Sequence, residues 1–209
     1  FIRKTVDHCI EEGVFDDTCV FVIDEPQWRN RLGYTHNLCK LMKGMDSRLG
    51  GKRLVTIEPR EDFYGQVDIW CALTKRFDPE VAAERQAAGD HVWWYVACGP
   101  KAPYPNFFLD HPASDPRVLF WMQYKYGVEG CLYYKVNGWD AENPYTDPPV
   151  VGDGIGDGLL IYPGEDGPLN SIRWEMIREG IEDYDYHAVL AGEIEAARDT
   201  VPPAEMVSM

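Results

Sequence analysis

The run Val20-Phe21-Val22-Ile23-Asp24-Glu25-Pro26 decides the fold class. Its apolar part is rich in β-branched residues with one aromatic, the composition of a strand buried on both faces. Two adjacent carboxylates end it abruptly, and Pro26 removes a ladder donor and forbids further pairing. In barrels and open α/β sheets, ligands sit at the C-terminal ends of strands. A buried strand that ends in two acids is therefore both a fold signal and a site signal.

Working outward, Thr18–Ile23 is the first of five short strand-like runs. The others are Arg53–Ile57, Gln66–Cys71, His91–Ala97 and Gly130–Tyr134, each bounded by turn formers. Helical stretches fall between them, at about 35–49, 79–88 and 115–126. Ser114 and Asp115 before Pro116 make a good helix start. A later apolar run, 158–162, precedes a long helix over 171–198, in which Ile177, Ile181, Tyr184, Ala188 and Ala191 share one face at helical spacing. Strands alternating with helices imply a parallel sheet covered on both faces. Such a sheet is either doubly wound or part of a (β/α)8 barrel. A full barrel takes about 250 residues, so the 209 residues here fit a barrel whose first strands are absent.

Composition narrows the partners. The chain is 45% hydrophobic, enough for a sizeable core, and carries 35 acidic against 20 basic residues. A net charge of -15 repels phosphate backbones, so nucleic acid is not an expected partner. No apolar run approaches the roughly 20 residues of a membrane helix, so membrane insertion is not expected either. The chain begins at Phe1 with no initiator Met and no signal-peptide pattern. Its start is therefore expected to be internal, and its compartment is left open. Six cysteines, several inside apolar runs such as Thr18-Cys19-Val20 and Ala97-Cys98, show no C-x-x-C pair and are expected to be buried reduced thiols.

The acid pair has a physical use. A neighbouring like charge raises one carboxyl pKa, and partial burial raises it further. A carboxyl kept protonated in this way serves as a general acid. The competing reading of Asp24-Glu25 is an exposed acidic turn or a charge pair at a helix N-terminus. Around the other strand ends lie Glu58, Asp62, Tyr64, Asp68, Trp70, Trp93, Trp94, Tyr95, Lys135, Asn137 and Trp139. Flat rings with polar handles, backed by carboxylates and amides, suit sugars, which present apolar C–H faces and hydroxyl edges. The competing reading places most of these rings in the core. Trp121 and Trp174 fall within helices and are assigned to packing. The glycine-rich stretch 152–158 fits no G-x-G-x-x-G register and reads as a loop, with Asp153 and Asp157 as weak cation candidates. The five histidines lack ligand spacing, so neither a metal nor another cofactor is expected.

The residues taken together resemble glycoside hydrolase family 123. The matching segments are Asp24-Glu25-Pro26, the run from Gly127 to Tyr134 leading into Asn137-Gly138-Trp139, the run from Gly156 to Gly164, and the long motif from Ser171 to Tyr184. Related bacterial domains of unknown function share them. The resemblance runs from about Thr18 to Leu190. It implies a (β/α)8 barrel preceded by a β-sandwich, present here as about strands 4 to 8 and the closing helix over 1–200, with a tail at 201–209. It implies a retaining exo-β-N-acetylgalactosaminidase acting on a glycan or glycoconjugate, secreted or periplasmic, with the rest of the pocket supplied by a missing N-terminal part of the same chain. Carried onto these residues, Glu25 is the general acid/base and Asp24 orients the substrate's 2-acetamido N–H, whose carbonyl oxygen attacks C1. Ordinary retaining enzymes instead place an acid and a carboxylate nucleophile about 5–5.5 Å apart across the bond. The substrate is expected to contact Tyr64, Trp70, Tyr95, Asn137 and Trp139. Two alternatives accompany this reading: a barrel that binds carbohydrate without cleaving it, and a glycosidase for a different sugar. Within the last motif, Arg173, Arg178, Glu175 and Asp183 are expected to form ion pairs in and beside the helix.

Overall fold

A computed structural model describes residues 1–28, 30–139, 143–152 and 154–198. The chain divides into two compact units, residues 1–100 with 128–134, and 101–127 with 135–209.

The first unit carries five parallel strands, β1 (Val20–Ile23), β2 (Arg53–Val55), β3 (Ile69–Leu73), β4 (His91–Tyr95) and β5 (Gly130–Leu132), side by side in chain order. Sequential parallel order follows from crossovers of one hand, each returning the chain beside the strand it left. Helices α1 (Ile2–Glu11), α2 (Leu32–Met45) and α3 (Pro79–Ala87) belong to the same unit. The start of α3 is written in its sequence. The Asp78 carboxylate accepts from the N–H groups of Glu80 and Val81, and Pro79 occupies the first turn.

Alternation along the strands sorts side chains onto two faces. Leu54, Ile69, Cys71 and Tyr95 cluster on one face, with Leu73, Trp93, Ala97 and Leu132 against them. On the other, Val55, Ile57, Phe63, Val67 and Trp70 pack with Cys39 of α2. Beneath that helix-covered face the buried Arg53 guanidinium grips Asp68, with Nη2 2.5 Å from Oδ1. Both strand faces are apolar, as in sheets buried on both sides.

Several strand ends differ from the sequence expectation. Gln66 and Val67 donate their N–H groups to the Phe63 carbonyl, forming the turn that follows a 3-10 helix (Glu61–Phe63) instead of entering the ladder. β3 therefore begins at Ile69. β4 stops at Tyr95 because the Ala97 N–H turns to the Gly99 carbonyl. None of the six cysteines is in a disulfide, but only Cys39 and Cys71 are buried; Cys19 and Cys98, expected inside, are exposed where the chain enters and leaves strands.

In the second unit, α4 (Asp115–Lys125) lies against α5 (Ile172–Ala197). Short antiparallel pairs β6 (Val150–Val151) with β7 (Gly154–Ile155), and β8 (Ile161–Pro163) with β9 (Pro168–Asn170), make up the rest. The apolar run 158–162 thus supplies a hairpin strand, not a sixth parallel one. Ser171 caps α5 through its hydroxyl, which accepts from the Trp174 N–H. Of the expected apolar row on α5, Tyr184 meets α4, whereas Ile181 and Ala188 are exposed. Gly180 makes the closest approach to α4, where a Cβ would stand 2.7 Å from Phe120 Cδ2 and 3.1 Å from Arg117 Cα. Tyr184 and His187, successive turns along, pack their rings on Tyr124. Arg173, 5% exposed, donates to the carbonyls of Phe107, Gly156 and Leu159. Its guanidinium thereby ties loop carbonyls to the first turn of the helix. Arg178 does pair with Glu175, Glu179 and Glu182, and Arg117 pairs with Asp183.

The expected tail, 201–209, and Asp153 lie outside the described residues. Among the described residues no helix is long and apolar enough to cross a membrane, and no cluster of three or more metal-binding side chains occurs.

Candidate active site

β1 delivers Asp24 and Glu25 to the C-terminal edge of the sheet, and a residue from β2 organises both. Thr56, buried directly beyond β2, accepts a hydrogen bond from the Glu25 N–H at 2.7 Å. The same hydroxyl lies 3.0 Å from Asp24 Oδ1, to which it donates. A hydroxyl can do both at once, so one threonine fixes the backbone of one acid and the carboxylate of the other. Glu25 has a φ of 41°. That left-handed backbone is unfavourable for a residue with a Cβ, and such conformations cluster at functional sites. It swings the Glu25 side chain out of the direction the strand would give it.

That side chain meets Tyr95 at the end of β4. The Tyr95 hydroxyl donates to Glu25 Oε1 in a short hydrogen bond. In the sheet β1 and β4 are separated by β2 and β3. Three strand spacings amount to about 14 Å, too far for two side chains rising in parallel from a flat sheet. The contact therefore requires a curved sheet with the acid pair on its concave side. Burial first, and the bond to Glu25 second, push the Tyr95 hydroxyl far above the ordinary tyrosine value. Tyr95 thus keeps its proton and acts as a donor to the Glu25 carboxylate.

Of the residues singled out in the sequence, Glu25, Asp24 and Tyr95 come together. Two others do not join them. Trp70 has no exposed surface, and its Nε1 donates to Asp90 Oδ2 at 2.7 Å. It sits one residue out of phase with Ile69 and Cys71 on β3 and so points to the helix-covered face, away from the concave side. Tyr64 packs edge-on against Trp70, with the Arg85 guanidinium 3.9 Å over its ring. Both rings are packing residues of that layer. Asn137 and Trp139 belong to the second unit, where Asn137 forms a β-bridge with Leu159 and Trp139 Nε1 donates to the Ile161 carbonyl at 2.8 Å. The motif that contains them fastens the chain before β8.

Sequence reasoning missed Thr56. Its signal was available, since Thr56 is a hydroxyl placed where the apolar run after Arg53 ends, two residues after Leu54 and so on the same face. It also passed over Trp28, three residues beyond Glu25.

What this arrangement can do is defined by its partners. The acids are held by two neutral hydroxyls, which orient carboxylates without cancelling their charge. The outer side of Asp24 is exposed and free to accept a further donor.

Residues 1–190 match the model of the glycoside hydrolase 123 catalytic domain. A family 123 glycoside hydrolase from Clostridium perfringens, solved in a structural analysis of glycolipid glycan hydrolysis, superposes with a TM-score of 0.71 at 20% identity, over 96% of this chain and 36% of that one. At that identity the likeness is one of fold. The chain spans just over a third of that structure, at 36% of its length. No curated protein matches. With the family model covering nearly the whole length, the chain belongs to the glycoside hydrolase 123 catalytic-domain family.

Proposed function

We propose that this chain is the acid-bearing part of a retaining exo-β-N-acetylgalactosaminidase that works by substrate assistance. The observation that carries the reading is the pairing of Asp24 and Glu25 on one loop, one bonded to Thr56 and the other to Tyr95. Glu25 protonates the departing glycosidic oxygen and later takes a proton from the attacking water. Asp24 accepts the acetamido N–H, which turns the acetamide carbonyl oxygen toward C1 and stabilises the charge that develops on nitrogen. Adjacent acids act from one side of the sugar, so the nucleophile comes from the substrate itself. Thr56 and Tyr95 preorganise the two carboxylates before substrate arrives, which is where electrostatic catalysis gains most.

The curved parallel sheet fits a segment of a (β/α)8 barrel, and the 36% coverage supports completion of barrel and pocket by the rest of the full-length protein. The proposed substrate is a glycan or glycoconjugate ending in β-linked N-acetylgalactosamine. A chromogenic N-acetyl-β-galactosaminide, incubated with the full-length protein, is expected to be cleaved with retention, and a thiazoline mimic of the cyclised intermediate is expected to inhibit. Rapid cleavage of a simple galactoside, which lacks the neighbouring acetamide, would mean a different mechanism. Binding of glycans with no turnover would mean a carbohydrate-binding barrel.

A further inference from the structure

Trp28 is an exposed tryptophan on the same loop as the acid pair, and its ring is pinned. It is 61% exposed. The Arg76 guanidinium lies 4.4 Å from its ring centroid, and Arg76 Nη1 is itself held 3.2 Å from Glu58 Oε1. Arg76 follows β3 and Glu58 follows β2, so both come from the edge of the sheet that carries Asp24 and Glu25. The loop is closed by the Trp28 N–H on the Glu25 carbonyl at 3.2 Å and the Arg31 N–H on the Pro26 carbonyl at 3.0 Å. A cation stacked on one face of an indole fixes the plane of the ring and leaves the other face open.

We infer that Trp28, backed by Arg76 and Glu58, is a sugar-stacking platform on the leaving-group side of the site. This rests on the reading of the preceding subsection. There the terminal sugar is engaged by Asp24 through its acetamido group and faces Glu25 at its anomeric oxygen. An exo-acting pocket closes around that terminal residue and opens toward the rest of the glycan. A ring exposed at the rim, on the loop that carries the acid, meets the next sugar. Its apolar C–H face lies on the open indole face while Arg76 holds the other. The platform thereby selects for chains in which N-acetylgalactosamine is linked to a further sugar. Holding the ring in advance also lowers the ordering cost of binding.

The test uses full-length protein and two probes. One is an oligosaccharide ending in β-linked N-acetylgalactosamine, and the other is the thiazoline, which fills only the terminal-sugar site. Trp28→Ala is expected to raise KM for the oligosaccharide about 3- to 10-fold, the range of a lost ring contact, with kcat within about 2-fold and thiazoline Ki unchanged. Trp28→Phe is expected to restore most of the loss. Arg76→Gln, which frees the ring without removing it, is expected to give a smaller rise of about 2- to 3-fold. An unchanged oligosaccharide KM in Trp28→Ala overturns the platform. So does a thiazoline Ki that rises in step with KM, because the ring would then serve the terminal sugar or the fold. A Glu25→Gln control run in parallel separates the two layers. If that variant keeps full turnover, the acid assignment fails whatever Trp28 does. If it is inactive while Trp28→Ala matches wild type, only the platform fails.

Discussion

Two groups of carboxylates in this chain are held in opposite ways. On α5 of the second unit, Asp183 accepts from Arg117 and from Trp121 Nε1, and Glu175, Glu179 and Glu182 surround Arg178. The bond from Arg117, then that from Trp121, hold the Asp183 carboxyl down at about 2. At the strand ends of the first unit, Asp24 and Glu25 take their hydrogen bonds from Thr56 and Tyr95. Among the described residues no arginine or lysine pairs with either of them. A guanidinium locks a carboxylate in its charged form and makes it a strut. A hydroxyl aims it and leaves it able to exchange a proton. The type of partner, more than the type of acid, separates the group on α5 from the group at the strand ends.

The comparison breaks first at Glu25. Glu25→Gln keeps the shape and the left-handed backbone, and is expected to lower turnover by about 10²- to 10⁴-fold, the usual weight of a general acid/base. Its thermal midpoint should match wild type; a large fall in stability would make Glu25 a strut after all. Next comes Tyr95→Phe, which removes one charge-assisted donor. A drop in kcat of about 10- to 100-fold is expected from the loss of a hydrogen bond to a charged group, and steady-state kinetics on the chromogenic substrate would show it.

On the other side, Gly180→Ala should leave kcat alone and reduce stability. In an exposed helix that exchange gains about 1 kcal/mol. Here the new Cβ meets Phe120 Cδ2 at 2.7 Å, and the overpacking is expected to cost about 1–3 kcal/mol, read by urea unfolding. An increase in stability would show that the helices do not approach so closely. The smallest effect belongs to Asp183→Asn. Because the folded carboxyl titrates below its unfolded value, its stabilisation is complete above about pH 4 and disappears as pH falls through about 2. The variant should therefore melt a few degrees below wild type at pH 7, with the gap closing near pH 2. A gap that did not depend on pH would remove the charge from the account.

The sequence was most legible where one local rule acted alone. The five apolar runs became the five parallel strands, and the helix start read at Ser114-Asp115-Pro116 is where α4 begins, with proline in its first turn although the Ser114 side chain makes no capping bond. It was least legible where both faces of an element are apolar. A strand buried on both sides carries no polar residue to tell the concave face from the helix-covered one, so Trp70 was expected at the pocket and lies beneath it. On α5 the apolar row suggested one contact face, yet close approach was set by the smallest residue, Gly180, which a hydrophobic count does not register. Tyr95 was singled out as a polar group at a strand end, whereas Thr56 was passed over. That they divide the two acids between them depends on sheet curvature, which no local pattern encodes.

The backbone at Glu25 has a consequence for reading related chains. Its φ of 41° is a conformation that glycine or asparagine adopts far more readily. Selection for stability alone would drift this position toward one of those residues. On the proposed role of Glu25, a glutamate there is held by its chemistry against the preference of the fold. A relative that folds alike but bears glycine at this position would then mark a lineage in which hydrolysis has lapsed and only the sugar-shaped surface persists.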